Sequence, residues 1–247
     1  MTPFAVGRRA GRPADMCDHG GMVAKVIDIS RPLEPATAVW PGDTPFTRRW
    51  THQHGPGQAA VTCLQLSPHV ATHLDAPLHT VPEGRDVGSV PLTACVGRCE
   101  VVAVPGRRGP ISEAHLPAGW SPSTPRVLFA TGTWPAGTPI PAAFASLAPG
   151  FVDFLARAGV ILVGVDTPSV DSPDATDLLA HRRCAAQTIL ILEGLDLDGV
   201  PPGQYTLVAA PLRMPGVEAS PVRALLLPAK TLPTGTTERV GTVGLAP

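Results

Sequence analysis

The sequence predicts an α/β or mixed-β fold rather than a helix bundle. The chain of 247 residues contains 30 prolines and 25 glycines, which divide it into many short elements. Hydrophobic residues make up 44% of the chain and aromatic residues only 4%, so we expect a substantial core built mainly of Ala, Val, Leu and Ile. Apolar runs of strand length recur along the whole chain, with a few helical segments between them.

The predicted strands follow these apolar runs. The clearest run is 160–165, which has Val, Ile or Leu at five of its six positions. The run 126–131 is also largely apolar, as expected of a strand that is buried on both faces. The predicted strands are 24–29, 59–66, 90–92, 99–104, 126–131, 160–165, 189–192, 205–209 and 222–227. Helices are predicted at 142–147, 151–158 and 174–186, and Gly159 ends the second of them.

One domain is predicted to span residues 24–228, because no internal repeat or linker divides this part of the chain. Residues 1–23 are rich in Gly and Arg and lack periodicity, which predicts a disordered extension or a true start at Met22. The first residues also lack the apolar segment of a signal peptide. Residues 229–247 form a polar C-terminal tail that is rich in Thr.

Charge and cysteine content exclude several classes of function. The net charge is −1 without a large basic cluster, so nucleic acid is not expected as a partner. No apolar run approaches the ~18 residues of a membrane span. The five cysteines are an odd number, and the close pair Cys95 and Cys99 has no second pair with which to form a zinc cage. We therefore predict free thiols and a cytoplasmic location.

Residues 67–79 hold the densest group of metal-ligand side chains. Three of the eight histidines lie within eleven residues here, together with one aspartate. His69, His73, Asp75 and His79 all occupy odd positions, so an extended chain projects them to one side and leaves the mostly apolar even positions facing the core. A helix would turn Asp75 away from His73, and two prolines also disfavour one. The segment therefore predicts a strand that runs into a loop and carries a metal site.

Two distant residues complete the donor set. His181 lies in a predicted helix, and Glu193 follows an apolar strand, where a carboxylate is costly unless it is paired or coordinates a cation. Taken alone, His181 is equally consistent with a surface histidine, and Glu193 with a capping carboxylate. Together with the four donors of residues 67–79, they favour a metal centre. Six donors exceed one tetrahedral zinc site, and two carboxylates can bridge, which favours two metal ions. His79, beyond Pro77, is the best candidate for a free histidine that shuttles protons.

The same row resembles the signature of a known family. The pattern H-x-G-T-H-x-D-x-P-x-H of the metal-dependent cyclase-like hydrolases is matched at His69, Thr72, His73, Asp75, Pro77 and His79. The resemblance covers about Val26 to Leu227, and within the superfamily the chain is most similar to the bacterial kynurenine formamidases (arylformamidases). The supporting segments are 40–43, 67–69, 166–171, 179–181, 192–195 and 219–224. One position departs from the pattern, because Ala71 stands where the family usually has Gly.

The resemblance implies a three-layer swivelling β/β/α cyclase-like fold and a homodimer or larger assembly. It assigns His69, His73 and Asp75 to one Zn²⁺, and it assigns Asp75, His181 and Glu193 to a second Zn²⁺. It also assigns proton transfer to His79 and the wall of an aryl pocket to Trp40. These donors also accept Mn²⁺. The implied substrate is a small aryl formamide, N-formyl-L-kynurenine, which is hydrolysed to L-kynurenine and formate.

This hydrolysis belongs to the kynurenine pathway, where it serves tryptophan catabolism or the biosynthetic supply of kynurenine. Two alternatives stay open at this stage. One is an isatin-type or other cyclase-family hydrolase that acts on a related aryl amide. The other is a catalytically inactive metal-binding protein.

Overall fold

A computed structural model describes residues 25–229 of the chain. The predicted extension at residues 1–23 and nearly all of the predicted tail at residues 229–247 lie outside the described residues. The strands are β1 Ile27–Asp28, β2 Thr47–His52, β3 Val61–Gln65, β4 His73–Asp75, β5 Val96–Ala103, β6 Gly109–Ile111, β7 Arg126–Ala130, β8 Ala145–Leu147, β9 Leu162–Val165, β10 Leu190–Glu193, β11 Gly203–Val208, β12 Ala219–Pro221 and β13 Leu225–Pro228. The α-helices are α1 Leu92–Cys95, α2 Pro149–Arg157 and α3 Leu179–Ala186.

Nine strands form one mixed sheet, in the order β1-β13-β11-β5-β7-β9-β10-β4-β12. The four central strands β5, β7, β9 and β10 run parallel to one another. The flanking strands on both sides pair antiparallel. Parallel neighbours need crossover connections, and α2 and α3 lie in the connections that precede and follow β9. Two small sheets, β2-β3 and β6-β8, stand beside the large one.

The central strands are buried on both faces, as predicted for 126–131 and 160–165. Side chains of one parity, such as Val127 and Val163, belong to a core that includes residues of α2 and α3. Side chains of the other parity, such as Leu128, belong to a second core that includes Leu207 and Leu226 of the flanking antiparallel strands. One face is thus closed by helices and the other by strands that curl over it, which gives three layers.

Three predicted elements outside residues 67–79 differ from the structure. The helix predicted at 142–147 is wrong, because residues 145–147 are buried and form strand β8, which pairs parallel with β6. The strand predicted at 90–92 is also wrong, because Leu92 begins the short helix α1. The helix predicted at 174–186 begins only at Leu179, because the preceding Leu178 has a left-handed backbone with φ of +48°.

The strand running into a loop that was predicted within residues 67–79 is shorter in the structure and begins later. Only His73–Asp75 forms a strand, whereas the preceding residues make turns and Pro77–His79 forms a 3-10 helix. Ala71 has a φ of +61°, and this left-handed backbone breaks the alternation of faces before β4. The side chain of His69 therefore lies on the same side as those of His73 and Asp75 because of the turn, and not because side chains alternate along a strand.

The predicted free thiols agree with the part of the chain that the structure describes. Cys63, Cys95, Cys99 and Cys184 are all unpaired, and Cys17 lies outside the described residues. Burial raises the pKa of the Cys99 thiol to about 12, so this thiol is protonated at neutral pH. Among residues 25–229 no helix has both the length and the apolar character needed to cross a membrane.

Candidate metal centre

The antiparallel pairing of β4 with β10 places three donor side chains on one face of the sheet. His73 lies opposite Glu193, and side chains directly opposite each other in a ladder point the same way. Asp75 follows two residues after His73, so it points to the same face. Leu74 and Leu192, which alternate with the donors, are fully buried in the core on the other face. The alternation of side chains along β4 and β10 therefore places Leu74 and Leu192 in the core and the three donor side chains on the opposite face.

Helix α3 brings His181 over this face. The backbone N–H groups of Ala180 and His181 donate to the two carboxylate oxygens of Asp171, at 2.9 and 3.1 Å. Ring atom Nδ1 of His181 donates to the same carboxylate at 2.6 Å. This orients the opposite ring nitrogen, so that Nε2 lies 3.4 Å from Asp75 Oδ2 and 3.3 Å from Glu193 Oε1.

The two carboxylates lie between the histidines. Asp75 Oδ1 is 3.1 Å from His69 Nδ1 and 3.4 Å from His73 Nε2, while its Oδ2 faces the ring on α3. Glu193 spans the same gap, with Oε2 3.4 Å from His73 Nε2. Because Asp75 belongs to both groups of converging donors, it is placed to bridge two ions. The groups, each with ligand atoms within 4.8 Å of one another, are His69, His73 and Asp75, and Asp75, His79 and His181.

Burial and mutual attraction shift the pKa values of these groups in opposite directions. Burial raises the pKa of Asp75, but the neighbouring histidines outweigh it and hold this pKa well below its ordinary value. Burial lowers the pKa of His181, but Glu193, Asp171 and Asp75 outweigh it and raise this pKa well above the ordinary value. Burial also lowers the pKa of His69, but the adjacent Asp75 carboxylate outweighs it and raises this pKa to about 9.

His79 lies beside the donors on the 3-10 helix that follows β4. Its ring centroid is 4.3 Å from that of His69 and 5.3 Å from that of His181. Unlike these neighbours, it has a lowered pKa, because burial outweighs the attraction of Asp75. The geometry brings His79 within reach of the centre, and the assignment of this residue as proton shuttle rather than ligand stays a prediction.

The donor set fits a divalent metal ion. His73 Nε2 and both carboxylate oxygens of Asp75 are buried and have no hydrogen-bond partner among residues 25–229. Buried polar atoms are almost always paired, and leaving one unpaired costs about 1–3 kcal/mol. A cation coordinated by these atoms removes that cost. Nitrogen and carboxylate donors of this kind suit Zn²⁺, and they also accept Mn²⁺.

The three histidines of the centre have partners on their outer ring nitrogens, as metal-ligating histidines usually do. His73 Nδ1 donates to the backbone oxygen of Ala71 at 3.1 Å. His69 Nε2 lies 3.4 Å from Glu218 Oε1, and His181 Nδ1 donates to the Asp171 carboxylate. Sequence analysis did not assign these roles, because a carboxylate before a short strand and a turn carbonyl leave no pattern in the sequence.

A cavity of about 210 Å³ opens over the donors. Trp40, the predicted wall residue, lines it together with Trp134, which sequence analysis did not single out. The guanidinium of Arg31 stacks 3.7 Å from the centroid of the Trp134 ring and donates to backbone oxygens, including those of Trp134 and Gly194. Burial lowers the pKa of Arg31 to about 10, so it stays charged at neutral pH. The rest of the wall includes Ala38, Val39, Ile140, Pro168 and Leu178.

The family model described as "Putative cyclase" matches residues 27–172, more than half of the chain. The chain belongs to this cyclase family. A solved structure described as a "predicted metal-dependent hydrolase from Bacillus stearothermophilus" is 28% identical, with a TM-score of 0.68 over 83% of this chain and 98% of that one. Another, described as a "potential metal-dependent hydrolase with cyclase activity", is 26% identical with a TM-score of 0.69 and the same two coverages.

Isatin hydrolase A from Labrenzia aggregata has the same fold, at 21% identity and a TM-score of 0.67 over 83% of this chain and 94% of that one. The predicted fold class of this cyclase-family chain is therefore confirmed. The family match, the metal-dependent hydrolase neighbours and the donor cluster together support a hydrolase that binds a metal.

Proposed function

We propose that this cyclase-family protein is a metal-dependent amidohydrolase that cleaves N-formyl-L-kynurenine to L-kynurenine and formate. The observation that carries the proposal is one arrangement: His79 and four of the five donors line a cavity whose walls include Trp40 and Trp134. The four donors are His69, His73, His181 and Glu193. Such walls favour an aryl ring, because aromatic pairs attract beyond the area they bury. The formyl group of a ring held there is directed at the donors.

The residues have separate tasks in the proposed reaction. His69, His73, Asp75, His181 and Glu193 would hold a divalent metal ion, which would supply Lewis-acid chemistry for activating water and polarising the formyl carbonyl. The two tryptophans bind the ring and exclude water from it. His79 accepts a proton at one ring nitrogen from the water whose oxygen bonds to the formyl carbon. It returns this proton to the aniline nitrogen as the C–N bond breaks, so that formate and the free aniline leave; such a role typically speeds a reaction ~10²–10⁴-fold.

A second candidate is the opening of a cyclic aryl amide such as isatin. It is favoured by solved isatin hydrolases with this fold, one of them described as bound to the product analogue thioisatinate at 18% identity and a TM-score of 0.65. Assembly as a homodimer and a cytoplasmic location stay predictions.

The test is hydrolysis of N-formyl-L-kynurenine and of isatin, each followed by its ultraviolet change. We expect rapid cleavage of the formamide, loss of activity after chelation, and recovery on addition of Zn²⁺. Full activity of rigorously metal-free protein would contradict metal dependence. Hydrolysis of isatin alone would favour the second candidate, and stoichiometric Zn²⁺ without hydrolysis of any aryl amide would favour an inactive metal-binding protein.

A further inference from the structure

Trp40 and Asp43 are the two ends of one tight turn at the cavity. The backbone N–H of Asp43 donates to the oxygen of Trp40 at 3.0 Å. Pro41 and Gly42 occupy the two central positions, and Gly42 has a φ of +95°, as the third position of a type II turn requires. Both end residues line the cavity. The turn therefore presents an indole and a carboxylate side by side.

The charge of Asp43 is not used by the metal centre. Its Oδ2 accepts a hydrogen bond from Ser67 Oγ at 3.2 Å, and a hydroxyl carries no charge that would neutralise the carboxylate. Glu193, the other carboxylate in the lining, belongs to the donor set. Of the described residues that line the cavity, none is Lys or Arg. Asp43 is half-buried at the cavity, so its carboxylate is available to an opposite charge that a ligand brings.

We propose that Asp43 is a specificity-determining residue that binds an ammonium group on the side chain of the substrate. This inference rests on the proposed function and narrows its substrate class to aryl formamides with an aminoalkyl side chain. Trp40 adds to the same recognition, because the face of an indole attracts a cation. A carboxylate on the substrate finds no Lys or Arg among the described lining residues, whereas Asp43 offers an ammonium group an opposite charge outside the donor set.

The experiment uses wild-type, metal-loaded protein and three formamidophenyl ketones of matched length. Their side chains end in an ammonium, a carboxylate or a methyl group. We expect kcat/KM for the ammonium ketone to exceed that for the methyl ketone by roughly tenfold, the size typical of a charge-assisted hydrogen bond, mainly through KM. Equal values for these two ketones, or a preference for the carboxylate, would overturn the inference.

The variants Asp43→Asn and Asp43→Glu then assign the effect to the carboxylate. We expect Asp43→Asn to bring the ratio of kcat/KM for the ammonium ketone to kcat/KM for the methyl ketone close to one, mainly by lowering kcat/KM for the ammonium ketone. Asp43→Glu keeps the charge and should keep a ratio above one. Asp198→Asn, which removes an exposed charge elsewhere, is the matched control and should behave as wild type.

Two results separate this inference from the proposed function. One result is that Asp43→Asn lowers kcat/KM for all three ketones by the same factor. Asp43 then supports the turn and does not bind the ammonium group, and the proposed function still stands. If wild-type protein hydrolyses none of the ketones and no other formamide, the proposed function fails, and the inference fails with it. Should Asp43→Asn not fold, the wild-type comparison of the ammonium and methyl ketones still decides.

Discussion

Ala71 has a left-handed backbone although it carries a side chain. Its φ is +61°, a conformation that costs a residue with a Cβ about 1–2 kcal/mol. The reason to keep this conformation lies in its carbonyl, whose oxygen accepts the hydrogen bond from His73 Nδ1. The carbonyl orients His73, a candidate metal ligand, and the Cβ at this position adds left-handed strain.

Replacing Ala71 with Gly is therefore expected to stabilise the protein. Relief of the left-handed strain outweighs the roughly 0.5–1 kcal/mol that the added freedom of Gly costs, which leaves a net gain of about 0.5–1 kcal/mol. Denaturant unfolding measures it. The control is Ala156→Gly within helix α2, which should lose about 1 kcal/mol. Equal destabilisation by the two substitutions would show that the backbone at position 71 is not strained.

His79 is the residue whose role the geometry leaves between ligand and proton shuttle. We expect His79→Ala to keep its full metal content, measured by elemental analysis, and to lower kcat by ~10²–10⁴-fold, because the remaining donors hold the metal while proton transfer is lost. His115→Ala, at an exposed histidine, should leave both unchanged. Loss of metal from His79→Ala would make it a ligand and would refute the shuttle.

Among the elements, the turn after β10 and the turn before β4 touch through their backbones. A Cβ added to Gly194 would lie 2.1 Å from the oxygen of Ala71, far inside contact distance. Thr72 Oγ1 donates to Gly194 O at 2.6 Å, which joins the same two turns. Since these turns adjoin His73 and Glu193, their close approach fixes the spacing of two donors.

The substitution Gly194→Ala should therefore separate the two turns. We expect a loss of several kcal/mol in the free energy of unfolding together with weaker metal binding, because the backbone clash adds to the strain of φ +65°. Gly199→Ala is the matched control: its φ is +68°, and nothing lies within 4 Å of the added Cβ, so only about 1 kcal/mol is lost. Similar losses for both would mean that the approach of the two turns is unimportant.

Elements with a strong hydrophobic pattern were predictable from sequence, and elements that depend on distant partners were not. β7 and β9 consist almost entirely of buried apolar residues, and such apolar runs can be recognised in the sequence without knowledge of the fold. β8 is only three residues long and is a strand because β6 pairs with it, so its helical prediction failed. The strand predicted through His69 failed because a single left-handed residue interrupts it.

Across the whole molecule, the donors were predictable by residue type and the remainder of the site was not. Histidines and carboxylates in a short row, and a carboxylate at the end of an apolar strand, stand out in any sequence. Trp134, Arg31 and Glu218 come from loops without periodicity, and only the packed fold brings them to the cavity or the donors. Their roles follow from tertiary contacts, which no local pattern encodes.

The buried donors also link metal binding to the stability of the whole domain. Asp75 and Glu193 are nearly inaccessible to solvent, and a ligand that binds only the folded protein stabilises it by RT ln(1 + [L]/Kd), about 4 kcal/mol at a thousandfold excess over Kd. We expect Zn²⁺ to raise the Tm of chelator-treated protein by roughly 10 °C, since 1 kcal/mol corresponds to about 2–4 °C at this chain length.

The variant Asp75→Asn distinguishes this linkage from nonspecific effects of zinc. It removes the carboxylate placed between both groups of donors, so its Tm should respond little to Zn²⁺. The metal-free variant should melt below the metal-free wild type, because the buried histidines lose the carboxylate that they hold ionised. Asp198→Asn should keep the full shift. A zinc-induced rise in Tm of the same size in Asp75→Asn would place the bound metal elsewhere and contradict the centre described above.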